Sequence, residues 1–169
     1  AVNNHVITNI DLINTISFYE ILERRKINFE IEKNKFLNIL IENKIKENEL
    51  NTSFKNFKIK DAVINKLITE YKKNLKSDLE KIDPYKKKIF EENLYYNIKI
   101  SQLWNKVIYY KFQNLITVNQ NEISKVIKEK KLSKQESSKY IDFERQKSLQ
   151  KISKSFLEEL KNKYLIKYF

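Results

Sequence analysis

The stretch DPYKKKIFEENLYYNIKISQLWNKVIYYKFQ, residues 83–113, decides how the rest of the chain is understood. Asp83 offers a side-chain oxygen to the first turn of a helix, and Pro84 fits the first helical position, where its missing N–H costs nothing. From there no glycine or proline interrupts the chain, which predicts one helix over 84–113. At about 100° per residue, Ile89, Tyr96, Ile100, Leu103 and Val107 fall on one face. Phe90, Leu94, Ile98, Trp104, Ile108 and Phe112 carry that surface around the cylinder. The apolar arc spans roughly 200°, wider than packing on one side requires. Such a helix is either surrounded by others or keeps part of its surface for a ligand.

Outward from this helix the punctuation comes from capping residues, since the 169 residues include one proline and no glycine. Ser77-Asp78-Leu79-Glu80 and Ser133-Lys134-Gln135-Glu136 have the form of capping boxes, and Asn119-Gln120-Asn121-Glu122 imitates them. Together with apolar periodicity they predict helices near 9–25, 29–50, 61–75, 84–113, 119–131 and 134–162. Short extended pieces are expected at 1–7 and 164–168. The last helix carries a narrow stripe, Leu149, Ile152, Phe156, Leu157 and Leu160, and must therefore lie on another element. The fold class is mostly α, in one domain over 1–169, its N-terminal helical part at 1–131 and its C-terminal helix and strand at 133–169. No stretch is long and apolar enough to span a membrane.

What is missing restricts the chemistry. Without glycine there is neither a phosphate-cradling loop nor a dinucleotide fingerprint. Without cysteine, and with His5 as the sole histidine, zinc sites of thiolate and imidazole cannot form. A Ser-His-Asp arrangement would have only His5 as its base, and His5 falls in a turn between short extended pieces. The pairs Glu91-Glu92 and Glu158-Glu159 are neighbours on helices, so their side chains diverge. The composition points to no cofactor, no metal and no catalytic residue, hence to a protein that works by binding.

The net charge of +12 raises the alternative of a basic helical protein that binds nucleic acid. Against it, the only arginines are Arg24, Arg25 and Arg145, whereas base reading and bidentate phosphate contact favour arginine. The lysine runs at 86–88 and 128–131 are broken by Glu and apolar positions and suit solvated helix faces. Nucleic acid is therefore not the expected partner. A helical adaptor with one fixed protein partner is the third reading.

Four segments, in order, resemble SurA-type periplasmic chaperones. Val2-Asn3-Asn4-His5-Val6-Ile7-Thr8-Asn9-Ile10-Asp11 is similar to that family's opening strand, turn and helix cap. Leu37, Leu40-Ile41, Lys44-Ile45 and Glu49 resemble its second helix, with Leu50 where the family usually has alanine. Ile98-Lys99-Ile100-Ser101-Gln102-Leu103-Trp104, followed by Val107, resembles its long helix. Phe156-Leu157-Glu158-Glu159-Leu160-Lys161 and Tyr164-Leu165-Ile166 resemble its closing helix and strand. The resemblance implies a multi-helix chaperone module with a long central helix, in which the two terminal strands pair and the last helix packs on the N-terminal ones. The family commonly inserts parvulin prolyl-isomerase domains before its C-terminal segment. Here only about 119–133 occupies that place, so the resemblance implies the chaperone module alone, without isomerase activity.

The function so implied is ATP-independent holding of unfolded polypeptides in the periplasm, with outer-membrane protein precursors as the clients that the resemblance implies. Such a protein needs an apolar, aromatic-lined groove, because aromatic side chains give large contact area at small rotamer cost. The ten Tyr, ten Phe and single Trp make one available. Candidate client contacts are Tyr96, Trp104, Tyr109, Tyr110 and Phe112, with Tyr109 and Tyr110 the expected exposed pair and Phe156 and Leu160 expected in the core. Exposed apolar surface of this kind would also permit self-association.

Overall fold

The computed structural model describes residues 1–2, 5–116 and 118–166. It is mostly helical, at 79%, with seven α-helices among the described residues. They are α1 (Asn9–Glu23), α2 (Phe29–Thr52), α3 (Asp61–Asn74), α4 (Lys76–Leu79), α5 (Pro84–Phe112), α6 (Gln120–Glu129) and α7 (Lys134–Lys163). A 3₁₀ turn at Gln113–Leu115 follows α5.

The starts of the helices follow the caps. Asp83 accepts a hydrogen bond from the Lys86 N–H at 2.9 Å, with Pro84 in the first turn. Ser133 and Glu136 form a reciprocal box, as do Thr8 and Asp11. Asn119 accepts from the N–H groups of Asn121 and Glu122. The Ser77 box is not formed. Leu75 and Leu79 are buried and pull this segment into the core as the single turn α4, leaving Ser77 inside it and exposed.

The absence of glycine shows at two helix ends. Arg24 and Lys131 take the left-handed conformation there, at φ 53° and 48°. A side chain in that region costs on the order of 1 kcal/mol that glycine would avoid. Arg24 offsets part of it with an ion pair to Asp78 at 3.0 Å.

Helix α5 is the centre. It touches α1, α2, α3 and α7, which accounts for its wide apolar arc. Phe90, Leu94 and Ile98 pack with Phe18, Ile64, Leu75 and Leu79. Trp104 and Ile108 join Ile41, Ile45, Phe156, Leu157 and Leu160 in a second cluster. Ile100 and Val107 close over Leu50. The narrow stripe of α7 lies on α2 and α5, with Phe156 and Leu160 buried.

The strands expected at 1–7 and 164–168 are not seen. Among the described residues Val2 instead makes isolated antiparallel bridges to His5 and to Ile166. The termini are therefore adjacent, but one residue pair replaces a ladder. The reason is spacing: α1 begins at Asn9 and α7 runs to Lys163, leaving little chain to extend, and Val6 faces solvent. Val2 is fully buried, so the bridge is held by packing as well as by backbone pairing. Residues 167 and 168 of the expected strand, and the turn residues 3 and 4, lie outside the described residues.

Candidate functional site

The second half of α5 carries its aromatic residues at 104, 109, 110 and 112, so they distribute around the helix instead of sharing one side. Where α7 lies decides the fate of each. The Trp104 ring stacks on Phe156 at 5.6 Å between centroids, and its indole N–H donates to Ser153 Oγ at 2.9 Å. At 3% exposure Trp104 belongs to the core, and a client has no access to its ring face. Phe112 meets Phe156 edge-on at 5.2 Å and is half-buried. Tyr109 and Tyr110 project away from the packed side and remain 55% and 62% exposed. Tyr110 rests its edge against Phe57, 5.2 Å away. Tyr109 has no ring partner among the described residues.

Tyr96 is on the other side of α5, half-buried, where its hydroxyl donates to Glu47 Oε2 at 3.0 Å. Burial, then the Glu47 carboxylate, raises its pKa above that of a free tyrosine. Burial also acts to raise Glu47, but hydrogen bonds from Lys44 and Tyr96 outweigh it and hold that carboxyl below its usual range. Tyr96 is thus a structural anchor between α2 and α5. Since its folded pKa is raised, the unfolded chain releases this proton first, and stability falls as pH rises past about 10. Tyr96→Phe should lose about 1 kcal/mol at pH 7 with its hydrogen bond. The same variant should show a flatter decline in melting temperature above pH 10 than the parent.

The free side of Tyr109 opens on a groove between α5 and α7. One cleft, of about 630 Å³, is lined by Tyr109, Gln113, Ile116, Asp142, Arg145 and Leu149. A second, of about 520 Å³, continues past Tyr109, Gln146 and Leu149 to Asn105, Ser153 and Glu158. These two share Tyr109, Gln146 and Leu149. A third, of about 430 Å³, adjoins at Asn105 and Ser153 and turns between α1, α2 and α3, reaching Lys46 and Tyr71. From Asp142 to Glu158 the first two clefts follow α7 for about 24 Å at 1.5 Å per residue. An extended peptide of about seven residues covers that length.

The walls mix apolar, neutral polar and charged groups, the last including Lys154 and the Arg145–Asp142 pair at 3.5 Å, and the two glutamates among them share one lysine. Lys161 donates to Glu42 at 2.8 Å and to Glu158 at 2.9 Å. The α7 wall was only partly legible. Leu149 stood in the apolar stripe, but Gln146 and Ser153 flank it at helical spacing and were not singled out. Lys46 was missed as well. The adjacent pair Glu91-Glu92 diverges: Glu91 pairs with Lys72 at 2.6 Å and Glu92 with Lys88 at 3.9 Å. His5 is exposed in the turn that Val2 and His5 close through backbone hydrogen bonds. Among the described residues no group of three His, Cys, Asp or Glu side chains converges as a metal site. None of the described helices is long and apolar enough to cross a membrane.

No protein-family model, no curated protein and no solved structure matches the chain. The likeness to SurA-type chaperones accordingly rests on the four quoted segments alone.

Proposed function

We propose that this chain is a holdase, binding extended, aromatic-bearing segments of unfolded polypeptides along the α5–α7 groove without chemical turnover. The observation that carries the reading is the run of three joined clefts with the exposed Tyr109 where two of them meet. A groove longer than any compact ligand needs, with walls of mixed apolar and polar groups, suits a chain whose sequence varies. Contact comes from aromatic area and from hydrogen bonds of Gln and Ser side chains to the client backbone. Weak, reversible contacts allow release without nucleotide. The packing of α7 on α2 and α5 is compatible with the reading, whereas the paired terminal strands that the resemblance implies are replaced by the single Val2–Ile166 bridge. On that resemblance the clients are outer-membrane protein precursors, and the compartment is the periplasm.

The test is light scattering of an unfolded outer-membrane protein diluted from denaturant, with and without an equimolar amount of this chain. Aggregation should be suppressed about equally at low and moderate salt. An unchanged scattering trace would sink the reading. Binding to DNA or RNA that weakens steeply with salt would favour the nucleic-acid alternative.

A further inference from the structure

Five lysines are half-buried among the described residues: Lys33, Lys44, Lys46, Lys72 and Lys161. Four have a carboxylate within 2.9 Å, namely Glu30, Glu47, Glu91 and Glu42 respectively. Lys46 has no ion-pair or hydrogen-bond partner among the described residues. Glu42 stands one turn before it on α2 and faces it, but its Oε1 is bound by Lys161 of α7, which claims Glu158 too. Burial draws the Lys46 amine below the usual lysine range, with Glu42 opposing and Lys161 adding to the effect. A half-buried ammonium whose nearest carboxylate is already bound by another lysine is incompletely compensated, and an arriving anion improves its balance.

The surroundings of Lys46 define what can arrive. It lines the third cleft together with Tyr19, Tyr71, Asn43, Asn97 and Gln102, a ring of phenols and carboxamides that can hydrogen-bond to a carboxylate or to peptide groups. Phe18, Leu94 and Ile98 form the apolar floor. Another cationic cleft, about 370 Å³ around Arg24, Arg25, Lys26, Lys81 and Lys86, has no phenol or carboxamide in its lining. There Arg24 already holds Asp78 at 3.0 Å, and Arg25 holds Glu23 at 2.6 Å and Glu32 at 2.7 Å.

We propose that Lys46 anchors the bound segment by pairing with an aspartate or glutamate side chain, so that the preferred clients carry an acidic residue beside an apolar or aromatic one. This rests on the holdase reading and specifies its substrate class. The aromatic neighbour occupies the floor of the third cleft, the carboxylate meets Lys46, and the remaining residues run past Ser153 towards Tyr109.

Two peptides of about ten residues, acetylated and amidated at their ends, test it. They share an aromatic-rich sequence and differ only in Asp against Asn at one position. Titration calorimetry on the full chain should give the Asp peptide roughly tenfold tighter binding, as expected for a charge-assisted hydrogen bond in a partly buried setting. Lys46→Gln should weaken the Asp peptide to the level of the Asn peptide and leave the latter unchanged, while Lys46→Arg should keep the preference. Equal binding of the two peptides to the parent overturns the role of Lys46 and leaves the holdase reading standing. Binding of neither overturns both. Should Lys46→Gln fail to fold by circular dichroism, the two peptides on the parent chain still decide.

Discussion

Phe156→Ala should destabilise the fold by about 3–5 kcal/mol, the range for removing a large buried aromatic and leaving a cavity. Phe156 is the point at which α7 joins the rest of the molecule. Its ring stacks on Trp104 at 5.6 Å, receives the edge of Phe112 at 5.2 Å and carries the Lys111 ammonium 3.9 Å from its centroid. No neighbour can collapse into the space, because Trp104 is held by its hydrogen bond to Ser153 and Leu157 and Leu160 already have partners. In a chain of this size each kcal/mol moves the melting temperature by about 2–4 °C, so a fall of roughly 10 °C is expected. Trp104 emission should shift to the red as its ring meets water. Phe143→Ala on the same helix supplies the control: at 60% exposure its loss should stay within about 0.5 kcal/mol. Equal effects of the two substitutions would contradict the packing of α7 on α2 and α5.

Tyr109→Ser combined with Tyr110→Ser should reduce client affinity about tenfold, since exposed aromatics at the centre of a contact carry a disproportionate share of binding energy. The two residues should not contribute alike. Tyr109 lines both clefts that follow α7, so the single change Tyr109→Ser should account for most of the binding loss while leaving stability within about 0.5 kcal/mol. Tyr110 rests on Phe57, so Tyr110→Ser should cost about 1 kcal/mol of stability with less effect on the client. The readouts are thermal unfolding and suppression of client aggregation at fixed salt. A Tyr109→Ser protein that protects the client as well as the parent does would move the binding surface away from the α5–α7 groove.

By itself the sequence determined what a few neighbouring residues can settle. A cap and the turn it closes lie within three or four positions, which is why Asp83-Pro84 and Ser133 to Glu136 start α5 and α7 where expected. Apolar periodicity is equally local, and it placed the buried stripe of α7 and the many-sided contacts of α5. The Ser77 box failed because the burial of Leu75 and Leu79, imposed by α5 and α3, outweighed a hydroxyl cap worth about 1 kcal/mol. Whether two terminal segments become strands depends on how much chain the helices leave between them, and that reduced the expected ladder to the Val2–Ile166 bridge.

Only the tertiary structure sorted the five candidate aromatics, because on an arc of roughly 200° periodicity gives a direction but not the neighbour found there. The position of α7 buried Trp104, half-buried Phe112 and left Tyr109 and Tyr110 in solvent, while α2 took Tyr96. The same holds for the charge on Lys46. Within α2 alone, Glu42 four residues earlier is its natural helical partner, worth a few tenths of a kcal/mol. Lys161, 119 positions away in the chain, takes that carboxylate instead. Competition between a local pair and a distant one is resolved by packing, and packing is the quantity that a linear pattern does not contain.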